Sequence, residues 1–179
     1  DVQNRSNIGK TEKFVMRLRT DNGGEYVSGR FRHICRNQNK FPISIRHELT
    51  NPYSPQQNGK AERAWRTLKE ATRALLFKAQ LTAGFWERAM DTAAYVRNRT
   101  PTSNHPQQTP YTRLMGGKPN LAHLRVFGCV AFPLRKEMLS SLQPRAEPGI
   151  MVGYSGSGYV IYSPARNKYE RAKSVVFNE

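Results

Sequence analysis

The chain has 179 residues, 37% of them hydrophobic, and a formal net charge of +16. That length suits one domain of ordinary size or two small ones, and the charge calls for a polyanionic partner, either nucleic acid or an anionic membrane surface. No run of about 18 apolar residues is present to span a bilayer, no signal peptide is visible, and the basic residues are scattered through folded-looking segments, which favours nucleic acid over membrane.

Residues 1–13 are polar and loop-like. In Phe14-Val-Met-Arg-Leu-Arg19, the residues Phe14, Met16 and Leu18 alternate with Val15, Arg17 and Arg19, which predicts a strand over 14–20. Thr20-Asp-Asn-Gly-Gly-Glu-Tyr26 then puts Asp21 where the strand ends and a glycine turn begins. Carboxylates that bind ligands or metals in α/β sheets often stand at such strand ends. Taken alone, Asp-Asn-Gly-Gly reads better as a plain turn. A helix is expected over 28–38, with Ser28 as N-cap and Phe31, Ile34 and Cys35 as its apolar face. A second strand is expected over 42–47.

Asn51-Pro-Tyr-Ser-Pro-Gln-Gln-Asn-Gly59 reads as a rigid loop, because Pro52 and Pro55 fix φ and disfavour helix just before them, and Asn58 and Gly59 form turns. From Ala61 to about residue 79 the pattern is helical. Ala61, Trp65, Leu68, Thr72, Leu75, Leu76 and Ala79 recur at three- and four-residue steps and predict one buried stripe. Glu62 lies one residue off that stripe in the first turn, and Arg66, Lys69 and Arg73 follow it on the same face. A carboxylate heading a basic helical face suits a group that holds a metal beside a phosphate backbone. A first-turn Glu is also favoured by the helix dipole alone, and such basic spacing is also that of an ordinary solvated face. Glu25 and Glu70 are assigned to turn and surface roles.

A further helix is expected from Thr82, its cap, to Arg99, with Trp86 as a core or interface anchor and Thr100-Pro101 as its end. A short helix starts at Thr109-Pro110 and stops at Gly116-Gly117. From Leu121 the pattern changes to short strands over 124–132, 149–154, 159–162 and 174–177, with Gly156-Ser-Gly158 as a tight turn, together a small β-barrel. Cys35 and Cys129 lie far apart, outside any Cys-x-x-Cys pair, and the four histidines lack metal spacing, so two buried free thiols in a reducing compartment are expected.

Together, "LRTDNGGEY" and "PYSPQQNGKAERAWRTLKE" resemble the blocks that carry the second and third acids of the Asp-Asp-Glu triad in integrases of copia-type retrotransposons. The resemblance continues through "FWERAMDTAAYVRNRTP", "TPYTRLMGGKPNLAHLRVFGCVAF" and "GIMVGYSGSGYVIYSP" and so covers nearly the whole chain. It implies an α/β ribonuclease H-like integrase core, truncated at its N-terminus, over 1–118, followed by a small all-β SH3-like barrel over 119–179. It implies Asp21 and Glu62 as catalytic and metal-holding residues, with Asp21 bridging two Mg²⁺ or Mn²⁺ ions and Glu62 completing one site. The first triad Asp is expected upstream of residue 1, Asp1 is not that Asp, and the zinc-binding N-terminal domain that the family normally carries is expected to be absent, since the cysteines and histidines lack zinc spacing.

DNA is the implied partner, through Gln57, Asn58, Lys60, Arg63, Arg66, Lys69 and Arg73. The full-length protein would be a homo-oligomer that engages no membrane and acts in the nucleus after a cytoplasmic virus-like particle stage. The implied activity is end processing and strand transfer, absent from these 179 residues alone for want of the third carboxylate. Trp65 stands where the family usually has a polar residue, Ser54 where Thr is common, and the connection from Cys35 to Ile43 is slightly long. A catalytically inactive remnant or domesticated nucleic-acid-binding module is the alternative. A different ribonuclease H-like nuclease fits poorly with the β-rich tail.

Overall fold

The computed structural model describes residues 15–37, 44–51, 58–103, 105–134 and 147–179. The chain divides into two compact units, Asp1–Trp65 and Arg66–Glu179.

In the first unit, β1 (Arg17–Thr20) pairs in parallel with β2 (Arg46–Leu49). Both strands sit nearer their C-terminal ends than predicted, and residues 14, 42 and 43 lie outside the described residues. The pairing explains the shift: the ladder opens where the Arg46 N–H donates to the Met16 carbonyl and closes where the Thr50 N–H donates to the Thr20 carbonyl. Val15 and Met16 precede the ladder and are exposed. The glycine turn is followed at once by a single helical turn, α1 (Gly24–Val27), and then by α2 (Gly29–Arg36). Ser28 caps α2 as expected, its hydroxyl oxygen accepting from the Phe31 N–H at 3.2 Å. Cys35 is buried, and Phe31 meets His47 of β2 edge-on, with ring centres 5.1 Å apart. One face of the two-stranded sheet is therefore covered by α2.

The long helix α3 (Gly59–Ala79) spans the predicted residues. Its apolar stripe is covered only in the second half. Thr72 is buried, and Leu75, Leu76 and Ala79 pack on a cluster formed by Ala89, Phe127, Val152 and Val160. Ala61 and Trp65 are exposed, Trp65 by 49%, which corrects the expectation of one continuous buried stripe. Periodicity reports which residues share a face, whereas cover depends on what another element brings to it. After a 3₁₀ turn (Ala83–Phe85), α4 (Trp86–Arg99) buries Ala89, Thr92 and Ala93. The Thr82 side chain makes no cap bond, contrary to expectation, and Trp86 is 52% exposed, so of its two expected roles it does not serve as a core anchor. α5 (Pro110–Met115) is capped by Thr109, which accepts from the Thr112 N–H, and ends on left-handed Gly116.

Strands β3 (Val130–Pro133), β4 (Gly149–Ser155), β5 (Gly158–Ser163), β6 (Lys168–Ala172) and β7 (Val175–Asn178) form one antiparallel sheet in the order β6-β5-β4-β3-β7. Gly156 and Ser157 make the tight turn expected between β4 and β5. The register shifts between Met151 and Gly153, so Val152 and Gly153 together oppose Val160, as in a bulge. Val152 and Val160 face the α3–α4 cluster, and Met151 and Ile161 pack with Cys129 and Ala131 on the other side. The first predicted strand is much shorter than 124–132. Within 124–129, Arg125, Gly128 and Cys129 bond to β4 instead, among these bonds Gly128 N–H to the Met151 carbonyl at 2.8 Å. β6 was not foreseen, because Lys168-Tyr-Glu-Arg-Ala172 carries the charged composition that keeps an edge strand soluble. Cys35 and Cys129 are both free and buried, as expected.

Candidate metal and nucleic-acid site

Asp21 is the first residue after β1, at the C-terminal end of a parallel strand, and it is exposed. Its backbone is held from both sides. The Thr20 hydroxyl, itself buried, donates to the Asp21 carbonyl at 3.0 Å and lies 2.8 Å from His47 Nε2. A hydroxyl has one proton to give, so with that proton on the carbonyl it accepts from His47, which then carries its hydrogen on Nε2. On the other side, Asn22 Nδ2 donates to the Thr50 carbonyl at 2.9 Å, which ties the turn to the end of β2. The Asp21 carboxylate accepts the Gly23 N–H through Oδ1 at 3.2 Å, an Asx turn that fixes its rotamer while the group faces solvent.

Glu62 lies in the first turn of α3, and its side chain is exposed. Lys60, Arg63, Arg66, Lys69 and Arg73 are exposed along the same helix, whereas Asn58 is half-buried just before it. Gln57 lies outside the described residues. Glu25 and Glu70 are exposed, in keeping with turn and surface roles. Among the described residues no group of three or more His, Cys, Asp or Glu side chains is gathered closely enough to hold a metal ion. Asp21 and Glu62 each offer hard oxygen donors of the kind that Mg²⁺ or Mn²⁺ prefers.

A charged cluster beside this site escaped the sequence reading. Glu48 of β2 is contacted by Arg17 at 3.3 Å, Arg19 at 3.2 Å and Arg46 at 3.4 Å. The alternation Arg17, Arg19 on one strand and Arg46, Glu48 on the next was visible, but only the parallel register brings the four together.

Residues 129–179 match the family model described as the retroviral polymerase SH3-like domain. The chain is 39% identical over 173 residues, 95% of its length, to the retrovirus-related Pol polyprotein from transposon TNT 1-94 of Nicotiana tabacum. It is 32% identical over 165 residues, 90% of its length, to the retrovirus-related Pol polyprotein from transposon RE2 of Arabidopsis thaliana. The chain spans only 13% and 11% of those two relatives. Among solved structures it is similar to a chain of the simian T-cell lymphotropic virus intasome in complex with PP2A regulatory subunit B56 gamma, with a TM-score of 0.45 and 21% identity over 89% of this chain and 56% of that one.

Proposed function

The homologues of this chain are retrovirus-related Pol polyproteins of plant transposons, and from that premise we propose that it is the integrase portion of a copia-type element, acting in DNA integration. In this reading residues 1–118 belong to a ribonuclease H-like catalytic core and 119–179 to the SH3-like module. The observation that carries the proposal is Asp21: an exposed carboxylate at the end of a parallel strand, with its backbone clamped by Thr20 and Asn22 and its rotamer set by Gly23. Contacts of this kind hold a metal ligand in place.

Asp21 and Glu62 would hold Mg²⁺ or Mn²⁺, with the further carboxylate supplied from outside the described residues. Such ions, when bound, activate an attacking oxygen and stabilise the leaving oxygen of a phosphodiester. The chain's own residues orient the substrate. Lys60, Arg63, Arg66, Lys69 and Arg73 place positive charge along α3 on either side of Glu62 for the DNA backbone, and Gln57 and Asn58 precede the helix in sequence. Contacts of this kind fix position and affinity more than sequence choice. The integrase would work on element ends and target DNA as a homo-oligomer.

The test is strand transfer by a longer protein that restores the segment upstream of Asp1. We expect Mg²⁺-dependent joining there, its loss in Asp21→Asn and Glu62→Gln, and duplex binding nearly unchanged in both. The 179-residue chain alone should join nothing. Joining by this chain that Asp21→Asn abolishes would overturn the ligand count. A longer protein that binds DNA but never joins it would support the inactive-module alternative.

A further inference from the structure

We propose that the open face of the β1–β2 sheet is a second phosphate-binding surface for nucleic acid, built from Arg17, Arg19 and Arg46 with Glu48 as an internal counter-charge. The inference rests on the reading of the chain as a DNA-binding protein and adds a surface that α3 does not contain.

Strand geometry puts Arg17 and Arg19 on one face of β1, and the register sets Arg17 opposite Arg46 and Arg19 opposite Glu48. The opposite face carries His47, which packs on Phe31 of α2, so the arginines stand on the side that α2 leaves open. Their side chains are 63%, 53% and 73% exposed, whereas Glu48 is 21% exposed. Among the described residues, three guanidinium groups thus converge on one carboxylate, an excess of two positive charges within this group of four. Facing Arg17 and Arg46 across adjacent strands is a like-charge pairing that weakens a sheet. Among the described residues, Glu48 is the carboxylate that offsets it, and it offsets one charge of three. A polyanion laid on this face relieves the remainder, and guanidinium forks suit phosphate oxygens. The row also runs along β1 directly toward Asp21, two residues beyond Arg19, so a backbone held by the arginines is led to the candidate metal ligand.

The test uses the 179-residue chain and a labelled DNA duplex, with binding followed by anisotropy across a salt series. Arg17→Gln/Arg46→Gln should weaken binding and lower the slope of log affinity against log salt by about 1.8, two contacts at about 0.9 each. Arg17→Lys/Arg46→Lys should keep most of the slope, and circular dichroism should show all variants folded. Glu48→Gln, which exposes one more positive charge, should tighten binding at low salt. An unchanged slope in the double Gln variant overturns the proposal, as does an unchanged or weaker affinity in folded Glu48→Gln. Arg66→Ala/Lys69→Ala separates the two surfaces: loss of slope there with none in Arg17→Gln/Arg46→Gln leaves the DNA-binding reading standing and removes this one. If polyglutamate binding, not duplex binding, is what the double Gln variant loses, the face serves an acidic protein segment and the nucleic-acid assignment is wrong.

Discussion

Tyr154 shows how single side chains hold the second unit together. Its hydroxyl donates to the Arg125 carbonyl and accepts the Arg125 N–H, both at 3.0 Å, and its ring stacks on Tyr95 at 4.4 Å. Tyr95 in turn meets His123 Nε2 at 2.7 Å and carries the Arg99 guanidinium 3.4 Å above its ring. Burial raises the Tyr154 phenol above its ordinary value of 10.0, since a phenolate there would lose its water, and the Arg125 backbone contact opposes this only in part. The folded-state value exceeds the unfolded one, so the contribution is complete below pH 10.0 and is lost as pH rises through the folded value. Tyr154→Phe should cost about 1–3 kcal/mol at neutral pH, because both Arg125 backbone groups lose a partner. In urea melts the gap between wild type and variant should narrow above pH 10.0. A gap independent of pH would show that folding leaves the titration of the phenol unchanged.

At the scale of elements, the critical junction is between the end of α3 and the segment leading into β3. Gly128 has φ +87°, and a Cβ built there would lie 2.3 Å from the Cβ of Ala79, the last residue of α3. The close approach lets the Gly128 N–H reach the Met151 carbonyl and bring Phe127 into the cluster under α4. Gly128→Ala combines left-handed strain with a steric overlap and should cost about 2–5 kcal/mol. In a double-mutant cycle, Ala79→Gly should recover part of that loss, because it removes the colliding atom. Additive effects of the two changes would mean that strain alone, and no clash, sets the cost.

On the scale of the whole molecule, the sheet and the helices before it share one core. Ala89 of α4 and Leu75, Leu76 and Ala79 of α3 close over Phe127, Val152 and Val160, all within the unit Arg66–Glu179. The family match begins only at residue 129. A chain cut to 119–179 would expose that helix-facing side of the sheet, and exposed contiguous apolar surface binds hydrophobic dyes and promotes association. We expect 119–179 to bind such a dye and to melt well below 66–179, which should melt as one unit. Equal melting temperatures would show that the sheet's second core, around Met151 and Ile161, suffices without the helices.

The sequence by itself determined what depends on local chemistry. Ser28 and Thr109 were legible as caps, Gly116 as a helix stop and Gly156-Ser157 as a hairpin turn, because each is set by a few neighbouring backbone groups. Asp21 was legible as a strand-end acid and Glu62 as a first-turn acid for the same reason. Tertiary structure decided the rest. It covered only half of the α3 stripe, left Trp65 and Trp86 at the surface, and made a strand of the polar β6. It also set Glu48 among three arginines from two strands, through a parallel register that no local pattern encodes. Burial and cross-strand charge depend on which distant segment arrives at a face, and periodicity along one segment carries no record of that.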